Sequence, residues 1–389
     1  MRRVDIGARP DWVQKAEEND FHIHHMYGEL YWDESRAYRF TLKEIEDNIE
    51  DPTAALIEIC YAAVDHIVYK DPSLMHKLGI PAIYHEAIKR SWETTEHDLY
   101  GRFDLSYDGE NPAKMLEFNA DTPTSLYESA VFQWLWLEDL KAQGILPETA
   151  DQFNSIHERL IEAFRKLGST HKEFHFTGAL ESEEDALTVY YIADCAHQAG
   201  LEVTVLDIGD LGINASDTFT DLDDNEIKNL FKLYPLEHMF HEEFGPKLIT
   251  TKTKIFEPLW KALLSNKGIL PILWELFPDH PNLLPAFWDD DPRAKELTEY
   301  VRKPLLSREG ENVTLVSEWV EGGRVEADGE YGEEGYIVQA AAVLPKFGDD
   351  YMCVGSWVVA GQACGIGIRE DKGPITRNLS RFIPHWIED

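Results

Sequence analysis

The chain has 389 residues, 43% hydrophobic and 28% charged, with 36 Lys plus Arg against 72 Asp plus Glu for a formal net charge of -36. That length predicts two or three domains around a substantial core, the balance is that of an ordinary globular protein, and the lack of a basic face excludes nucleic acid as a partner. Four scattered cysteines make neither CxxC nor zinc spacing, no apolar run is long enough for a membrane span, and polar residues follow Met1-Arg2-Arg3, so the chain reads as a reduced, cytoplasmic protein without a signal peptide.

Apolar residues recur at helical spacing from Pro10 to Glu18 and from Leu42 to Tyr69, with Thr41 as N-cap of the second helix. Between them His22 and His24 stand two apart. With no acidic or Cys partner at ligand spacing they read as surface or pocket-wall residues, not as a metal site. A further helix is predicted from Pro81 to Trp92.

Tyr100 to Asn119 then reads as a β-hairpin. Arg102 and Asp104 in one arm, and Glu117 and Asn119 in the other, alternate with Phe103, Leu105, Leu116 and Phe118, while Asp108-Gly109-Glu110-Asn111-Pro112 supplies the turn. One face thus gathers a cation, two carboxylates and an amide oxygen. Such a set suits Mg²⁺ bound to a polyphosphate, because the ion wants hard oxygen ligands and takes only one or two protein carboxylates. Beyond it lies Asn119-Ala120-Asp121-Thr122-Pro123-Thr124-Ser125 and a helix from Leu126 to about Leu140. Its start is either Thr122 with Pro123 at the first helical position, or Ser125 with Glu128 as a capping box. Both put a helix N-terminus beside the hairpin, where it either receives an anionic group or simply caps a buried helix.

Phe174 to Gly209 has the pattern of half an α/β unit: a strand, the acidic turn Glu181-Ser182-Glu183-Glu184-Asp185, a helix to Ala199, Gly200 and a strand from Glu202 to Leu206. Glu183 and Glu184 would grip a cationic amine, although an acidic first turn suits a helix without any ligand. From Thr251 the composition changes. Leu259 to Leu264 and Ile269 to Phe277 are predicted helical around Ser265-Asn266-Lys267-Gly268. Tyr300 to Leu305 and Val313 to Val316 are strands joined by a polar loop, and Lys303 on the first is a candidate clamp over nucleotide phosphates. Glu321 to Glu334 reads as a solvated loop, and Tyr336 to Ala341, Trp357 to Val359 and Ile366 to Arg369 as strands. The expected units are 1–165, with N-terminal helices, hairpin and substrate helix; 166–250, a small α/β unit; and 251–389, a lid and nucleotide-binding part.

Neither the GxxxxGK[ST] phosphate loop nor the GxGxxG fingerprint occurs. However, GRFD, LEFNADTPTS, SNKGILP, YVRKPLLSREGEN, YIVQ and GIGIRED, in that order, resemble the glutathionylspermidine synthase family, in its stand-alone synthetase-like form and over nearly the whole chain. The resemblance implies a mixed α/β (α+β) fold of ATP-grasp type with a small pre-ATP-grasp α/β domain. It implies an ATP- and Mg²⁺-dependent ligase that joins a peptide or amino-acid carboxylate, such as glutathione, to spermidine or another amine through an acylphosphate.

On that resemblance Asp104, Glu117 and Asn119 would hold Mg²⁺, Arg102 would face the transferred phosphoryl group, and Arg369 would stabilise charge at the reacting centre. Lys267 and Lys303 would contact ATP phosphates, with Gly310 in a lid and Gln339 near the adenine-binding strand. Arg308 lies in a loop closing on substrate. Thr122 and Thr124 replace serines that contact glutathione in the bifunctional members, and Ser125 and Glu128 complete the acid side. Glu183 and Glu184 align with an acidic polyamine-binding turn. No amidase domain precedes these motifs, so hydrolysis of glutathionylspermidine is not expected. Two rivals are a non-catalytic ATP- or polyamine-binding protein on the same fold and a peptide ligase without a polyamine substrate.

Overall fold

Asp108 turns the chain between the strands Tyr100–Ser106 and Lys114–Asn119: its Oδ1 accepts from the amides of Glu110 and Asn111 at 2.9 and 2.8 Å, and Gly109 takes φ 89°. The computed structural model describes residues 1–169, 171–342 and 344–388. In the hairpin Arg102 pairs with Asn119 and Asp104 with Glu117, so these four share one face. On the other face the rings of Phe103 and Phe118 stack with centroids 4.0 Å apart. The register then slips: Leu105 pairs with Met115, and Leu116 bulges out of the ladder. Strict alternation had put Leu116 on the apolar face; the bulge turns it toward the polar one.

The hairpin is the edge of a sheet ordered 381–383, 362–371, 350–359, 100–106, 114–119. The late strands are longer than expected, Asp350–Val359 and Gln362–Asp371, because both faces of their middles are buried and no period-2 signal marks them. Gly355 lies opposite Asp104, Trp357 opposite Arg102 and Cys353 opposite Arg369, which extends the polar stripe across the sheet. Asp51–Tyr69 covers the opposite face, where Thr53 Oγ1 and Ser356 Oγ are 2.7 Å apart. The helical run from Leu42 to Tyr69 holds, with a π turn at Glu46–Glu50, and Thr41 and Glu44 form a reciprocal capping box.

Behind the hairpin a four-stranded parallel sheet runs 254–256, 229–233, 173–178, 202–207, with Glu183–Gln198 packed on it. It carries the expected strand–acidic turn–helix–strand unit and draws its outer strand from beyond 250. The Tyr300–Pro304 and Thr314–Val316 strands pair as expected in a five-stranded antiparallel sheet ordered 286–288, 336–340, 300–304, 314–316, 324–326. Its last strand, Arg324–Glu326, lies in what composition marks as a loop, after a turn through Gly322 and Gly323 at φ 78° and 72°. Residues 251–389 are thus divided among four sheets, since His385–Ile387 pairs with residues 38–40. Among the described residues no helix is long and apolar enough to cross a membrane.

Candidate active site

A cavity of about 270 Å³ opens between the polar face of the hairpin, the 264–270 turn, the five-stranded sheet and the loops at 306–310 and 374–378. Arg102, Asp104, Glu117, Asn119, Thr122, Thr124, Glu184, Lys267, Lys303, Arg308, Gly310, Gln339 and Arg369 all line it. The chain therefore brings together residues up to 267 positions apart, from Arg102 to Arg369.

Its floor is cationic above and acidic below. Lys267 Nζ donates to the carbonyl of Ser307 at 2.8 Å and stands 3.2 Å from Glu117 Oε2. Lys303 Nζ donates to Gln339 Oε1 and to the carbonyl of Leu116, each at 2.9 Å. The second carbonyl is available because the bulge withdraws it from the strand ladder. Burial favours the neutral acid at Glu117, yet Lys267 and Lys303 outweigh it and pull the carboxyl down to about 2. Burial in turn pulls Lys303 down to about 8, with Glu117 opposing.

Arg102 is fixed from two sides. Its Nε donates to Asp104 Oδ1 at 2.6 Å and its Nη1 to the carbonyl of Thr124 at 2.7 Å. Asn119 Nδ2 also donates to Asp104, at 3.2 Å. Gly355 makes room for this arginine: a Cβ there would lie 2.7 Å from Arg102 Cδ. Arg369, two strands away, donates to the carbonyls of Arg377 and Asn378 and keeps a buried Nε without a protein partner.

A second set of lining residues is acidic: Glu184 and Asp185 from the head of the Glu183–Gln198 helix, Glu237 and Glu309; Arg308 donates to Thr122 Oγ1 at 2.8 Å and stands 3.5 Å from Glu237. Burial and then Glu184 push Asp185 up to about 6, with Arg308 opposing. Glu183 is exposed and does not line the cavity. The N-cap Ser182, which accepts from the Asp185 amide, sets this phase. Asp185, Glu237, Asn266 and Cys353 are lining residues that sequence reading did not single out. Burial pushes the Cys353 thiol up to about 12, so it is a neutral wall.

The helix after the hairpin begins at Leu126, directly behind Ser125, and not at Thr122. The expected capping box does not form. Ser125 takes φ 64° and its Oγ meets the Tyr31 hydroxyl at 3.0 Å, while Glu128 accepts from the same hydroxyl at 2.7 Å. Ser125 lines a narrow cleft between Arg102 and Arg369, and Glu128 is buried behind it, pushed up to about 7 by burial.

Among the described residues no three His, Cys, Asp or Glu side chains gather as a metal cluster. His22 and His24 do have an acidic partner: they bond the two oxygens of Glu17, at 2.8 and 2.9 Å, and the second ring nitrogen of His24 faces His25. The hairpin's donor set is of another kind, two carboxylates and an amide oxygen. Its hard oxygens, with Glu117 held ionised, fit Mg²⁺.

The model of the family described as glutathionylspermidine synthase preATP-grasp matches residues 3–388. A Haemophilus influenzae protein named "Putative acid--amine ligase" is 43% identical over 401 residues, covering 100% of both chains. Trypanothione synthetase of Crithidia fasciculata is 30% identical over 342 residues, covering 81% of this chain and 51% of that protein, so the chain spans about half the length of that relative. Among solved structures, a glutathione synthetase-like effector from Globodera pallida, in its apo form, has a TM-score of 0.59 at 12% identity, covering 98% of this chain and 99% of that one. That last likeness is one of fold.

Proposed function

The chain belongs to the glutathionylspermidine synthase preATP-grasp family, of mixed α/β ATP-grasp type, and on that premise we propose that it is an amide-forming ligase, dependent on ATP and Mg²⁺, joining a peptide carboxylate to a polyamine or similar amine. One observation carries the reading. A single cavity is lined by Asp104, Glu117 and Asn119 with Lys267 and Lys303, and also by Glu184, Asp185 and Glu237. The first group suits a polyphosphate with its cation, and the second suits an ammonium group.

A carboxylate oxygen of the acid attacks the terminal phosphorus of ATP and ADP leaves; the amine nitrogen then attacks the acyl carbon, loses a proton and displaces inorganic phosphate. Asp104, Glu117 and Asn119 would hold Mg²⁺, which supplies charge neutralisation at the phosphates. Lys267 and Lys303 add fixed positive charge, already oriented by Ser307, Leu116 and Gln339, so little reorganisation is needed when phosphate arrives. Arg102 is locked by Asp104 and Thr124, and with Arg369 it brackets the cleft beside Ser125, where charge develops on the acid. Thr122 and Thr124 offer hydroxyls to the acid. Arg308 and Gly310, on the 306–310 loop, cover the centre and exclude water from the activated acyl group.

ADP release, measured with Mg²⁺ across a panel of acids (glutathione and shorter or longer peptides) and amines (spermidine, other polyamines, amino acids), tests the proposal. Release that needs both an acid and an amine supports it. Release with acids and amino acids but no polyamine selects the peptide ligase, and tight ATP binding with silence for every pair selects the non-catalytic binder.

A further inference from the structure

Both ends of the hairpin are tied, through buried charge, to the C-terminal ends of adjacent parallel strands. After the Lys254–Phe256 strand, Glu257 accepts from the amides of Leu99, at 3.0 Å, and Tyr100, at 3.0 Å, while Lys261 donates to the carbonyl of Tyr100 at 3.1 Å. On the Asn229–Leu233 strand, Lys232 pairs with Asp121 Oδ1, and Asp121 Oδ2 accepts from the amide of Leu236 at 2.8 Å. Lys232 is 0% exposed and Asp121 2%. Lys232 does not line the cavity, and the mechanism above does not use it.

An interior ion pair gives little stability over packed apolar residues of the same volume. What it gives here is direction. Lys232 and the Leu236 amide hold the Asp121 carboxylate from two sides, and the next residues, Thr122 to Ser125, follow from that anchor. Thr122 Oγ1 then meets Arg308 at 2.8 Å, and the Thr124 carbonyl meets Arg102 at 2.7 Å. The loop that carries the acid-side hydroxyls is therefore registered at its root by Lys232 and along its length by the two arginines.

We infer that Lys232 is a positioning residue for the acid: acting through Asp121, it sets where Thr122 and Thr124 stand relative to Lys267 and Lys303. The inference rests on the reading of this loop as the acid side of a ligase. Displacing the anchor moves the hydroxyls without touching Asp104, Glu117 or the lysines, so acid binding weakens while nucleotide binding is kept. A misplacement of about 1 Å in a reacting group costs on the order of 10²-fold in rate.

Two variants of the full chain test this. Asp121→Glu keeps the charge pair but moves the carboxylate by one methylene, and Lys232→Met with Asp121→Asn removes the charge while keeping the bulk. With glutathione and spermidine as probes, both are expected to raise the KM for glutathione about tenfold or more, leaving ATP affinity and the KM for spermidine within about twofold. A glutathione KM within twofold of the parent in Asp121→Glu overturns the inference, whether or not the double variant folds. If the parent itself is silent with every acid and amine, the proposed function fails, and amide hydrogen exchange decides separately. Faster exchange confined to residues 121–126 in Asp121→Glu supports the anchor, and unchanged protection there overturns it.

Discussion

Lys303 Nζ donates at 2.9 Å to the carbonyl of Leu116, the residue that the hairpin bulge removes from strand pairing. The bond joins the five-stranded sheet to the metal-suited hairpin, and it holds the ammonium beside Glu117. Lys303→Met keeps the stem and removes the charge. The expected outcome is ATP affinity lowered about 10-fold or more, the range of a charge-assisted contact, with little change in the KM of the acid. Isothermal titration with ATP and Mg²⁺ measures it; unchanged affinity rejects the clamp role.

Glu117→Gln removes one of the two carboxylates while keeping shape and an amide oxygen. Turnover is expected to fall on the order of 10²–10³-fold, as for loss of a preorganised electrostatic group, and Tm at neutral pH to fall with it. Its carboxyl is held down to about 2 by Lys267 and Lys303. A folded value below the unfolded one means that the parent carries this contribution to stability at neutral pH and loses it as pH falls from the ordinary carboxylate range toward 2. The Gln variant lacks that part of the acid-side slope, which pH-dependent denaturation curves of the two proteins reveal.

Glu184 and Asp185 face the cavity while Glu183 faces solvent. Glu184→Gln and Asp185→Asn are each expected to raise the amine KM about 5- to 10-fold, and Glu183→Gln to leave it unchanged. Because Asp185 is pushed up to about 6, it is anionic above that pH and neutral below, so amine affinity falls as pH drops through 6. The stability sign is the reverse: a raised carboxyl favours the folded state most at low pH and loses that advantage as pH climbs from the ordinary value to about 6. A pH profile of the amine KM that is flat from 5 to 7 counts against Asp185 in this role.

Gly310 occupies φ 73°, and a Cβ there would lie 2.6 Å from Ile375 Cγ2 and 2.8 Å from the carbonyl of Thr376. Gly310→Ala is expected to lift the 306–310 loop from the 374–376 segment at a cost of about 1–3 kcal/mol. Poorer closure admits water to the activated acyl group, so ADP release exceeds amide formed. Equal stoichiometry of ADP and amide in this variant rejects a closing role for the loop.

Local chemistry made much of this molecule readable. The alternation around Asp108 to Pro112 specified the hairpin and the shared face of Arg102, Asp104, Glu117 and Asn119, because a period of two leaves a strand little choice once one face carries Phe103 and Phe118. Thr41 marked a helix start for an equally local reason. By contrast, the middles of the 350–359 and 362–371 strands are buried on both faces, which erases the alternation that would reveal their length, and Arg324–Glu326 is a short edge strand in acidic, Gly-rich sequence.

By itself, then, the sequence determined the hairpin and the shared face of Arg102, Asp104, Glu117 and Asn119, the strand–acidic turn–helix–strand unit and, through its ordered motifs, the family. Only the tertiary structure decided which carboxylates of the acidic turn enter the cavity, that Ser125 and Glu128 turn to Tyr31 instead of capping their helix, and that Leu116 leaves its ladder to receive Lys303. It also decided that Lys232 stands under Asp121. Each of these depends on a partner more than 90 residues away or on the phase of a helix against another element, and spacing along the chain carries neither.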